Sequence, residues 1–133
     1  MLELPGIAVI FGGAIAFFIV GSIWYGALFG KAWQQAAGLT DEQVQSGNPA
    51  LIFGLCFLFE LLIAAVLWHG IERSGASDVA VMMMAVGFGA FVMSPAIGIN
   101  YLFQRRPGKL FAIDAAHFII GMAAMGGAFV LLR

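Results

Sequence analysis

The chain alternates between long apolar runs and short polar breaks. Four runs stand out: Pro5 to Phe29, Pro49 to Ile71, Val79 to Phe103 and Lys109 to Leu132. Each holds roughly 22–25 residues, and at about 1.5 Å per residue each reaches roughly 33–37 Å as a helix, enough to cross a bilayer core with some tilt. Period-two alternation is absent and the runs are too long for strands, so the pattern predicts helices.

The breaks predict how these helices connect. Residues 30–48 form the longest one, and Thr40-Asp41-Glu42-Gln43 inside it fits a capping box, so one short interfacial helix is expected there. Gly47-Asn48-Pro49 supplies a turn, an N-cap and a proline suited to the first helical position. Residues 72–78 and 104–108 are tight polar turns, and short turns join antiparallel neighbours. The expected fold is all-α: an integral membrane four-helix up-down bundle forming a single transmembrane domain.

Composition supports a membrane setting. Of 133 residues, 62% are hydrophobic and 10% charged. An ordinary soluble domain carries roughly 25% charge, so most of this surface must meet something apolar. The formal net charge of −1 argues against nucleic acid, which needs a basic footprint. The single cysteine, Cys56, lies in an apolar run and reads as a small hydrophobe, with no disulfide to form within the chain. Met1-Leu2-Glu3-Leu4 lacks the basic start of a signal peptide, so the first run is expected to be a retained span. Lys31, Arg105, Arg106 and Lys109 fall on one side of the predicted bundle, and Arg73 and Arg133 on the other. The positive-inside rule then puts loops one and three in the cytoplasm and both termini outside.

Polar groups within the spans are the candidates for function, because an intramembrane ionisable group faces the bundle interior and needs a partner. Glu60 lies at the centre of the second run. Asp114 and His117 share one face of the fourth, three residues apart. Asn100 and Tyr25 stand near the same membrane side, so Tyr25, Glu60, Asn100, Asp114 and His117 form a candidate intramembrane polar cluster. Each also has a packing explanation: a carboxyl bonded to backbone, an interhelical donor, a helix-packing amide. Trp24 and Trp33 read as interface aromatics, and Lys31, Arg105, Arg106 and Lys109 as contacts for lipid headgroups. His117 and Asp114 could supply two metal ligands, but the paired Glu-x-x-His pattern of di-iron bundles is missing and His69 lies at the opposite face, so no metal and no cofactor is expected. No nucleophile–base pair or phosphate loop is present either. The 18 glycines, including the Gly26-Ala27-Leu28-Phe29-Gly30 spacing, read as small positions that let helices approach.

Two segments carry a resemblance. GSIWYGALFGKAW (residues 21–33) is similar to the WY-x3-FGK-x-W signature that ends the first span in the DUF1761 family. FQRRPGKLFAIDAAHF (residues 103–118) resembles that family's arginine-proline turn and Asp-containing last span. The resemblance covers essentially the whole chain. It implies a four-span bacterial membrane protein, maps recurrent family positions onto Trp24, Tyr25, Lys31, Trp33, Arg106, Pro107 and Asp114, and supplies no mechanism. Glu60 and His117 are not among those positions.

The bacterial cytoplasmic membrane is therefore the expected location, and the lipid bilayer the first partner. The expected function is that of a non-catalytic helical component, working as a homo-oligomer or as an accessory subunit of a larger membrane-protein complex. The alternative is a small proton-coupled transporter or channel that uses Glu60 with the polar cluster. A lipid- or quinone-modifying enzyme would need a nucleophile and base that the sequence does not supply.

Overall fold

A computed structural model describes residues 2–133, so Met1 lies outside it. Six helices follow one another: α1 Gly6–Leu28, α2 Gly30–Ala37, α3 Asp41–Gln45, α4 Pro49–Ser74, α5 Asp78–Phe103 and α6 Gly108–Leu132. Among the described residues there is no strand. By length and composition α1, α4, α5 and α6 can each cross a membrane.

Local chemistry sets the boundaries. Thr40 and Gln43 form the expected capping box at the start of α3. The Asn48 side chain accepts from the Leu51 N–H and Pro49 opens α4. Gly75 ends α4 at φ 60°, a left-handed conformation that suits glycine, and the Ser77 hydroxyl accepts from the Ala80 N–H to start α5. The second apolar run is thus three residues short of its helix, because nothing before Gly75 stops Glu72, Arg73 and Ser74 from continuing it.

The first loop differs more from expectation. In place of a loop after Phe29, α1 widens into a π-helical turn over Trp24–Leu28, and α2 restarts at Gly30. The Phe29 N–H reaches back five residues to the Trp24 carbonyl at 2.7 Å. A side chain at Gly30 would collide with the Tyr25 carbonyl oxygen, so this close restart requires glycine. The Gly26/Gly30 spacing therefore does not serve helix packing within the chain. Gly26 faces open space, and Gly30 faces its own backbone.

A second π-helical turn, Gly89–Met93, interrupts α5 just before Pro95. Proline lacks the N–H that a regular turn would use, and Ser94 Oγ donates to the Gly89 carbonyl at 2.7 Å. Gly89 also lies against the α6 backbone, where an added Cβ would sit 2.9 Å from the Phe118 carbonyl oxygen.

α4 packs chiefly on α1, while α6 packs on both α1 and α5, so the spans run α4, α1, α6, α5 across the molecule. The apolar core lies at the end where α4 turns into α5. Val9, Ala14, Phe17, Leu67, Ile71 and Phe129 are buried there, with Trp68 against Phe129 at 5.4 Å between centroids. Arg133 pairs with Asp78 across the same end at 2.5 Å. From Pro49 to Phe59, by contrast, α4 buries no residue. Phe53 and Phe57 rest on Phe18 of α1, and the other apolar side chains of that half point away from the chain's own helices.

Candidate functional site

The polar end is built from three spans. The π-helical turn aims Trp24 and Tyr25 of α1 toward α6, where Asp114 and His117 lie three residues apart on one face. Tyr101 returns from the end of α5 through the turn formed by residues 104–107.

Asp114 is the centre. Its Oδ1 accepts from the Tyr25 hydroxyl at 2.5 Å, and its Oδ2 accepts from the Tyr101 hydroxyl at 2.5 Å. Two phenols thus give each carboxyl oxygen a donor. One side chain of α6 is thereby tied to α1 and to α5. Trp24 adds a parallel bond, its Nε1–H donating to the Ile113 carbonyl at 3.1 Å. Trp24, expected from sequence to be an interface aromatic, is an interhelical donor in the fold. Trp33 of α2 lies edge-on to Tyr25 at 5.8 Å.

His117 sits beside this tie, 8% exposed, against the rings of Phe17 and Tyr25 at 5.2 and 4.9 Å. Its Nε2 is buried without a hydrogen-bond partner. Gly21 provides its space, since an added Cβ would lie 3.1 Å from that nitrogen.

The sequence grouping is divided by the fold. Tyr25, Asp114 and His117 come together; Asn100 and Glu60 do not join them. Asn100 is exposed, and its neighbour Tyr101 takes the inward position instead. Glu60 is buried on α4, on the far side of α1 from α6, and its Oε2 has no hydrogen-bond partner. Tyr101 was missed because it reads as one more interface aromatic near a basic turn. The available signal was depth, since a long side chain one turn from the end of α5 can reach the second turn of α6.

Lys31, Arg105, Arg106 and Lys109 are all exposed, and none is ion-paired among the described residues. Among those residues, no three His, Cys, Asp or Glu side chains stand close enough to share a metal ion. Chemically, the arrangement joins helices through a carboxyl each of whose oxygens accepts one phenol hydroxyl.

The family model described as a protein of unknown function, DUF1761, matches residues 7–130, a range that covers nearly all of the four long helices. No curated protein and no solved structure matches the chain.

Proposed function

The chain belongs to the DUF1761 family, a membership that names no activity, and we propose that it works as a non-catalytic helical membrane component completed by association. The carrying observation is the half of α4 from Pro49 to Phe59, which buries no residue in its own chain. A span lodged against one neighbour presents most of its circumference to whatever lies beside it. The favoured occupant is a second copy, because the commonest closed oligomer is a two-fold dimer that uses one self-complementary patch; an accessory position in a larger complex is the other form of the same reading. The Asp114 tie fits this role, since both carboxyl oxygens are engaged in holding helices and neither is free for chemistry. The proposed setting is a bacterial cytoplasmic membrane, with the Lys31 and Arg105–Lys109 side facing the cytoplasm. Native mass spectrometry in mild detergent tests the proposal: a dimer or a stable hetero-complex is expected, and a stable partner-free monomer overturns both forms.

A proton-coupled carrier or channel has one observation in its favour. Glu60 Oε2 and His117 Nε2 are both buried without partners, as proton-carrying groups awaiting a ligand or water would be. That reading expects proton flux into liposomes that is lost in Glu60→Gln; absence of flux, or unchanged flux in the variant, sinks it.

A further inference from the structure

The turn between α5 and α6 carries a feature that the Asp114 tie does not use. A surface groove of about 220 Å³ runs beside it, lined by Gly98, Tyr101, Leu102, Arg106, Gly108 and Phe111. Its two ends differ in chemistry. At the turn stands Arg106, an exposed side chain without an acidic partner among the described residues, with Arg105 and Lys109 near it in sequence. Away from the turn the lining is glycine, leucine and aromatic ring. The Tyr101 hydroxyl is committed inward to Asp114, so this residue offers the groove its ring. Packing of Phe111 over Gly98 shapes the floor, because a Cβ at Gly98 would sit 3.1 Å from that ring.

A basic mouth opening on an apolar trough matches a molecule with a phosphate at one end and a hydrocarbon chain at the other. We propose that this groove seats an anionic phospholipid, its phosphate on Arg106 and one acyl chain along Leu102 and Phe111. Four facts support this occupant. The cations here have no ion-pair partner among the described residues. Arginine matches a phosphate with a planar fork of donors. Leu102 is 79% and Phe103 86% exposed, which is the environment of a chain meeting lipid rather than water. The groove also begins at the end of two spans, where a headgroup would stand. The inference holds whether the chain is a monomer or an oligomer.

Native mass spectrometry of the purified protein, supplemented with either phosphatidylglycerol or phosphatidylcholine of identical acyl chains, provides the test. Phosphatidylglycerol should be retained in preference. Arg106→Gln should lower that preference roughly fivefold, the scale of one basic side chain at a membrane surface. Leu102→Trp, which fills the trough and keeps every charge, should lower retention of phosphatidylglycerol. Arg73→Gln, at the opposite end of the bundle, should leave it unchanged, and inorganic phosphate should not displace the lipid. Both altered side chains in the groove are exposed, so folding is not at stake. Equal retention of the two lipids, full preference in Arg106→Gln, unchanged retention in Leu102→Trp, the same loss in Arg73→Gln, or displacement by phosphate alone would each overturn the proposal.

Discussion

A carboxyl inside an apolar helix gives up its hydration and must find donors within the protein. Asp114 finds two, and they come from different spans, so the energy of the carboxyl is coupled to the placement of both. Interhelical hydrogen bonds in membranes contribute modestly, averaging about 0.6 kcal/mol and reaching about 1.7, because unfolded helices in lipid also find partners. Tyr25→Phe is therefore expected to destabilise the protein by about 1 kcal/mol. Asp114→Ala should cost more, about 2–3 kcal/mol, because it leaves two phenol hydroxyls without their acceptor. In the double variant the two losses should add to less than their sum, which SDS-titrated unfolding followed by circular dichroism can measure. Strict additivity would mean that the Tyr25–Asp114 bond contributes nothing to the fold.

Each span was legible as an element, and its rotation was not. Length and uniform hydropathy identify four helices, and Thr40, Asn48 and Gly75 mark ends through capping chemistry that sequence displays directly. Helices that are apolar all round carry no amphipathic stripe, so nothing in the pattern tells Asn100 from Tyr101 as the inward residue. The lateral order of the spans was equally hidden, which is why Glu60 and His117, similar in depth, end on opposite sides of α1. The π-helical turns were hidden for a related reason: they arise where packing against α6 and a missing proline N–H override the regular ladder. Glycine illustrates both the success and the failure. Gly13 lies under the Phe129 ring and Gly121 under Phe17, where an added Cβ would come within 2.7 Å, whereas Gly26 meets nothing. Gly13→Ala and Gly121→Ala should each destabilise by about 1–3 kcal/mol through overpacking, and Gly26→Ala should leave stability within about 0.5 kcal/mol. Thermal unfolding in detergent distinguishes these classes, and a Gly26→Ala loss as large as that of Gly13→Ala would restore the Gly26/Gly30 pair as a packing face.

At the scale of the molecule the two ends do different things. The end near Trp68 and Phe129 is a closed apolar core crossed by all four spans. At the other end a three-span tie sits beside a span whose first half buries no residue and meets α1 through Phe53 and Phe57. Lipid can cover that half at no hydrophobic penalty, so apolar exposure alone does not distinguish lipid from protein. Cys56 can distinguish them, because it is the one cysteine in the chain and lies exposed within that half of α4. If two copies meet there about a two-fold axis that passes close to Cys56, the two thiols approach each other. Oxidation with copper phenanthroline in native membranes should then give a disulfide-linked dimer, and Cys56→Ser should abolish it. Phe91→Cys in the Cys56→Ser background places the thiol on α5 at a site 82% exposed and should give little product, which separates a defined interface from random collision. Equal cross-linking through both positions would assign the face of α4 to lipid and leave the proposed association without its surface.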